Sequence, residues 1–312
     1  MNHFKRNRKC FCLAFVVVVI IVFYLIYGPK LARIDKLLLD TENIDFAALS
    51  LSKPNLNETG LEFDIIPNIV HFIRFRNPYV DFVLLIAIKS VLINHKPEKI
   101  YIHCDCVTLK GKYWELLSSE SKIFVRKIEE PKYVFGHKLS SVYHASDVAR
   151  IKVLMDFGGI FLDNDVFVVK SLKKFLKFEF SIGWPINDYL GTQVLIAHKN
   201  ARFLKLWFQS YRDYRPFKWY YNAGELPTES ILTKRPDLVH REMTEFGVHN
   251  LVEFLYKNNH PEEIWRSKFY TIHLLERHRS YMVPEDSIGF FNENNIKTYN
   301  KTFGAMARSV LF

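Results

Sequence analysis

Two carboxylates, Asp163 and Asp165, stand on either side of Asn164 directly after the apolar run Ile160-Phe161-Leu162. One residue apart in extended chain, they point to the same side. Two hard oxygen donors so placed suit a divalent cation that is shared with the phosphates of a ligand. Taken alone, Asp-x-Asp is equally an acidic turn that binds nothing. An EF-hand loop is excluded, because Val166, Phe167 and Val168 occupy positions that belong to further ligands and the glycine.

The neighbouring residues add weight to the pair. Asp147 and Arg150 are three apart, and so share one face of a helix. Val148, Ile151, Leu154 and Met155 form a stripe that packs this helix into a core, which leaves its polar pair near a surface or cleft. A surface ion pair, or a helix capped by Ser146 or Asp147, is the plainer reading of the same residues. Gly158-Gly159 lets the chain turn sharply from helix to strand. Asp163 and Asp165 then emerge where an apolar strand ends, and the carboxyl ends of parallel strands are where open α/β sheets bind ligands.

The elements that must position these groups can be read from periodicity. Strand-like runs at 69–75, 99–104, 123–128, 160–163, 180–184 and 193–197 alternate with helical segments at 81–94, 143–157, 201–211 and 247–257. Such alternation implies an α/β fold, with a mainly parallel sheet covered on both faces.

Ahead of this domain lies 11–27, a run free of charge and preceded by Lys5, Arg6, Arg8 and Lys9. It is long enough for a spanning helix. A cleaved signal peptide is the competing reading, but the run closes on Tyr24-Leu25-Ile26-Tyr27 rather than on small residues. The basic flank keeps residues 1–10 cytoplasmic and places the remainder in the lumen. Residues 28–62 are polar, contain Ser52-Lys53-Pro54-Asn55 and read as a stem, with the catalytic domain over 63–312. The net charge of +10 is concentrated in the first 36 residues, which carry +6 of it. The mild remainder is a solvated surface and points away from nucleic acid. Cys104 and Cys106 lack a second ligand pair at zinc spacing and read as buried thiols. Asn57-Glu58-Thr59 and Asn300-Lys301-Thr302 are acceptor sequons that suit a lumenal domain.

The block Ser146-Asp147-x-x-Arg150 through Gly158-Gly159-Ile160-Phe161-Leu162-Asp163-x-Asp165 resembles glycosyltransferase family 32, whose sugar-binding region contains a DXD motif. That family groups yeast initiating mannosyltransferases with animal α1,4-galactosyl- and N-acetylglucosaminyltransferases. Ile66-Pro67-Asn68-Ile69-Val70-His71 is similar to its opening strand, and Thr271-Ile272-His273-Leu274 to its closing histidine motif. The resemblance implies a GT-A (Rossmann-like) fold and retaining transfer from a nucleotide sugar, a UDP-sugar rather than a GDP-sugar, to a glycan, glycolipid or glycoprotein. It implies that Ser146, Asp147, Arg150, Gly159 and Asp163 form the donor site. Asp165, with Asp163 and His273, would hold Mn²⁺ or Mg²⁺, and Asp163 and Asp165 would be the catalytic pair. With the N-terminal anchor, it implies a single-pass type II protein of the Golgi membrane. The chain departs from the family at Gly191-Thr192-Gln193 and Thr228-Glu229-Ser230, so the acceptor does not carry over.

Two other classes fit some of these residues. A glycoside hydrolase needs two carboxylates flanking the scissile bond, one of them kept protonated in an apolar pocket, which adjacent Asp163 and Asp165 serve poorly. A catalytically silent glycan-binding or scaffold protein is the other, since sites rather than folds carry function. Among aromatic residues, Trp219-Tyr220-Tyr221 is the better candidate for an acceptor platform, while Trp207 in its helical pattern reads as core.

Overall fold

Hydrophobic strands that are buried on both faces need helices on each side, and the computed structural model has that arrangement. It describes Phe23, residues 41–284, Asp286 and residues 288–312. The chain divides into two units, Met1–Ile44 and Asp45–Phe312. In the first, only Phe23, which is helical, and residues 41–44 are described. The expected tail at 1–10 and all of the 11–27 span except Phe23 lie outside the described residues. Among the described residues, no helix is long and apolar enough to cross a membrane.

The second unit begins at Asp45, ahead of the stem boundary expected at 62. Two short helices, α1 (Phe46–Ser52) and α2 (Leu56–Thr59), open it. Asp45 caps α1 by accepting from the Ala47 and Ala48 amides. Phe46 is buried, and so is Asn57 at 4% exposure. The Asn57 amide donates to the Asp237 carbonyl at 2.8 Å and accepts from the Glu179 N–H at 3.0 Å. Polar composition masked these anchors. The sequon at Asn57 is closed in the folded chain, whereas Asn300 is exposed.

The main sheet contains β1 (Ile69–Arg74), β2 (Lys99–Cys104), β3 (Ile123–Lys127), β6 (Gly159–Leu162), β8 (Phe180–Gly183), β9 (Val194–Ala197) and β10 (His240–Glu242). Their spatial order is β10-β8-β9-β6-β1-β2-β3. All neighbours pair parallel except those of β9, which runs antiparallel to both β6 and β8. A short hairpin, β4 (Tyr133–Val134) with β5 (His137–Lys138), precedes the long helix Val142–Phe157, and β7 (Val166–Val168) pairs antiparallel with β11 (Thr271–His273). The mixed α/β class read from the alternation is therefore present. Of the expected helices, 81–94 becomes α3 (Phe82–Ser90) followed by a π-type turn, Val91–His95. After α4 (Lys112–Glu115) come α5 (Val142–Phe157) and α6 (Arg202–Ser210), close to their expected bounds. The expected helix at 247–257 shrinks to a turn, Glu253–Lys257. Gly247 lies at φ +55 there, against the Thr271 carbonyl, in a loop that packs alongside β11. Helices α7 (Glu262–Lys268), α8 (Glu276–Met282) and α9 (Thr302–Leu311) complete the unit.

Phe161, Phe180, Ile182, Leu195 and Ala197 share one apolar cluster with Val148, Ile151 and Leu154 of α5 and Phe203, Leu204 and Trp207 of α6. The alternating residues Ile160, Leu162, Val194 and Ile196 are buried as well, so both faces of the sheet are covered. Cys104 and Cys106 are not free thiols: they are joined in a disulfide at the end of β2. The spacing that puts both on one side of the chain also brings their sulfurs together.

The helix-to-strand turn depends on glycine. Gly158 and Gly159 have φ of +63 and +103, and a Cβ on Gly159 would sit 2.6 Å from the Ile69 carbonyl oxygen. Beside this turn, His71 Nε2 donates to the Gly158 carbonyl at 2.9 Å, leaving Nδ1 to accept from His103 Nε2 at 3.0 Å. Burial holds both rings neutral, with pKa values lowered to about 4 for His71 and about 3 for His103. Unfolding restores an ordinary value of about 6.5, so below that pH the unfolded chain binds more protons. Stability from this pair is complete above pH 6.5 and is lost as pH falls towards 4. Between pH 6.5 and 5 the expected loss is about 2 kcal/mol per histidine. Urea unfolding across this range measures it, and an unchanged midpoint would contradict the neutral pair.

Candidate functional site

Helix α5 starts at Ser141, whose hydroxyl accepts from the His144 N–H at 3.1 Å. Neither Ser146 nor Asp147 caps it. Both lie inside the helix on the face turned to a cleft, because the opposite stripe is committed to the sheet. Asp147 and Arg150 form the i,i+3 pair at 3.1 Å. Arg150 also reaches Asp163 at 3.3 Å and donates to the Thr192 carbonyl at 2.8 Å. Its guanidinium lies over the Phe161 ring, 4.7 Å from the centroid, and is buried. One cation thus serves two carboxylates. Burial pushes both Asp147 and Asp163 above the usual carboxylate range, Arg150 opposes this, and each has a neighbouring aspartate that adds to it.

Asp163 follows β6, its amide donating to the Gln193 carbonyl at 2.9 Å, and Asn164 ties the turn to β1 by donating to the Ile73 carbonyl at 2.9 Å. The chain then enters β7, where Val166 stands opposite His273 of β11. The Leu274 amide donates to the Asp165 carbonyl at 2.8 Å, and His273 Nε2 lies 3.2 Å from the Asp165 carboxylate. Burial opposes charge on both groups. Their mutual attraction prevails, lowering the Asp165 pKa and raising that of His273.

These groups line a cleft of about 850 Å³, within the usual range for small-molecule sites. The structure brings Ser146, Asp147, Arg150, Asp163, Asp165 and His273 together on it. Gly159 does not join them. It sits at the other end of β6 from Asp163, packed against β1, and its role is to allow the turn. Among the described residues, no three His, Cys, Asp or Glu side chains converge as a closed metal cage. What is present fits an open cation site. Asp165 and His273 offer one carboxylate and one imidazole on the cleft wall, and the remaining positions around a divalent cation would fall to phosphate oxygens and water.

The two departures from the family pattern separate here. Thr192 and Gln193 line the cleft, and Gln193 Oε1 is buried without a protein partner. Thr228 is buried in a structural role instead, donating to the Gly224 carbonyl at 2.7 Å and accepting from the Leu190 N–H at 3.0 Å. Trp207 is core, as read; Trp219 and Tyr220 line the cleft, while Tyr221 turns away to donate to Asp213. Sequence reading missed Tyr143, Arg74, Asp81 and Arg277 as cleft residues. A signal existed for Tyr143, one helical turn before Asp147. Arg277 had none.

Residues 85–182 match the family described as glycosyltransferase sugar-binding region containing DXD motif. Among curated proteins, glucan organizing enzyme 1 of Cryptococcus neoformans var. grubii serotype A is 25% identical over 198 residues, 55% of this chain and 53% of that protein. The chain therefore spans about half the length of this relative. Among solved structures, galactosyltransferase LgtC in complex with donor and acceptor sugar analogues is 14% identical at a TM-score of 0.45, covering 78% of this chain and 96% of that one. The apo form of glycosyltransferase GlyE of Streptococcus pneumoniae TIGR4 is 11% identical at a TM-score of 0.46, covering 79% and 61%.

Proposed function

We propose that this chain, whose residues 85–182 match a glycosyltransferase sugar-binding region containing a DXD motif and include Asp163-Asn164-Asp165, transfers a sugar from a nucleoside-diphosphate sugar to a glycan, glycolipid or glycoprotein acceptor. The proposed fold type is GT-A, the metal Mn²⁺ or Mg²⁺, the donor a UDP-sugar and the outcome retaining. The observation that carries the reading is the division of labour along one turn of chain. Asp163 is held to α5 through Arg150, while Asp165 is turned to His273.

That division suggests how the residues act. Arg150 keeps Asp163 and Asp147 fixed as acceptors for ribose and sugar hydroxyls, so no reorganisation is needed when the donor arrives. Asp165 and His273 present one oxygen and one nitrogen to the diphosphate side. A divalent cation bound there would supply neutralisation of the charge that develops on the leaving diphosphate. Retention would follow from front-face attack by the acceptor hydroxyl, with a leaving phosphate oxygen taking its proton. For location we propose the Golgi membrane, with 11–27 as a type II anchor and the catalytic unit in the lumen. The uncharged run and its basic N-terminal flank support this.

The full chain in detergent, screened against UDP- and GDP-sugars, is expected to release nucleoside diphosphate from a UDP-sugar. Release should stop with a chelator and return more fully with Mn²⁺ than with Mg²⁺. Failure of every donor both to turn over and to bind in the presence of Mn²⁺ would sink the reading in favour of a silent glycan-binding protein.

A further inference from the structure

The charges that line the cleft pair off almost completely. Asp147 and Asp163 face Arg150, Asp165 faces His273, Asp81 accepts from Arg74 at 3.0 Å, and Glu276 lies 3.6 Å from Arg279. Arg277 is the exception. It is exposed on the cleft and meets no carboxylate among the described residues. Its guanidinium lies over two rings instead, 4.4 Å from the centroid of Tyr143 and 5.5 Å from that of Trp219.

The platform beneath it is fixed. Tyr143 and Trp219 pack edge to face with centroids 5.0 Å apart. His144 Nε2 donates to the Trp219 carbonyl at 3.1 Å, while its Nδ1 accepts from the Tyr214 hydroxyl at 2.6 Å. Trp219 nevertheless keeps 56% of its surface exposed. A guanidinium stacked by its face on aromatic rings leaves its N–H edge free, and that edge matches the two oxygens of a carboxylate or phosphate. An exposed indole face beside it suits the apolar face of a sugar ring.

We propose that Trp219, Tyr143 and Arg277 form the acceptor subsite, and that it takes an anionic saccharide whose carboxylate or phosphate is read by Arg277. The inference rests on the transferase reading above. In that reading a divalent cation held by Asp165 and His273 would meet the charge of the donor diphosphate, which leaves Arg277 for a second anion.

The test uses the full chain on an array of neutral gluco- and manno-oligosaccharides beside their uronate-bearing and phosphate-bearing counterparts. Wild type is expected to prefer one anionic series by about ten- to hundred-fold, and the two arms identify which anion it reads. Arg277→Gln should abolish the preference, and Arg277→Lys, which keeps charge but loses the fork, should restore part of it. Calorimetry with UDP and Mn²⁺ should give the same Kd for Arg277→Gln as for wild type. Equal binding of neutral and anionic chains by wild type would overturn the proposal. So would a tenfold loss of UDP affinity in Arg277→Gln, which would return Arg277 to the donor phosphates. If neither UDP nor GDP binds wild type, the transferase reading fails, and the array still decides whether the cleft reads an anionic saccharide.

Discussion

Replacing Asp165 with asparagine or alanine is expected to lower sugar transfer by about 10²–10³-fold or more, the scale seen when one preorganised group facing developing charge is removed. Asp165 holds its place through backbone as well as side chain, since its carbonyl accepts from Leu274. The asparagine variant keeps the shape and the strand pairing, and loses the charge that faces His273. Its melting temperature should therefore stay near that of wild type while initial rates at saturating Mn²⁺ collapse. Transfer by Asp165→Asn within a few-fold of wild type would remove Asp165 from the proposed cation site.

Replacing Arg150 with methionine should have the opposite profile, a stability defect first and an activity defect because of it. The arginine is buried between Asp147 and Asp163, and its loss strands two carboxylates in the cleft wall. Breaking a buried pair by removing one partner costs about 3–5 kcal/mol. Both carboxyls already lie above their usual range because of burial, and without Arg150 they rise further. A carboxyl whose folded pKa exceeds its unfolded value binds its proton more tightly in the folded state, so lowering the pH favours folding. The gap in urea stability between variant and wild type should accordingly be widest at pH 7 and narrower at pH 5. A gap that does not change between these two pH values would show that the lost Phe161 stacking and Thr192 contact, rather than the stranded charges, set the cost.

These two residues also show how far sequence reached. The strands and helices around the motif were legible because burial on both faces leaves uninterrupted apolar runs, and because Gly158-Gly159 marks a turn that no other residue fits. Asp147, Arg150, Asp163 and Asp165 were legible as a set because they lie close together in one helix and just beyond one strand. A turn at Asn164-Asp165, rather than extended chain, sends Asp163 to Arg150 and Asp165 to His273. The same local logic failed where a contact has no trace in spacing. Ser146 and Asp147 look like caps in a linear reading, and only packing of α5 on the sheet shows that the helix starts at Ser141. Polar residues 45–62 read as stem until Asn57 is seen bonded to Asp237 and Glu179.

By itself, then, the sequence determined the α/β class, the identity of the acidic motif and the helix that serves it, because each depends on periodicity or adjacency. The tertiary structure decided which distant residues complete the site. Pairing of β7 with β11 sets His273 beside Asp165, and the same strand exit carries Arg277 onto the rings of Tyr143 and Trp219. The cause is physical. Strand register and ring stacking are fixed by the burial of surfaces far apart in the chain, and no local pattern records which of those surfaces will meet.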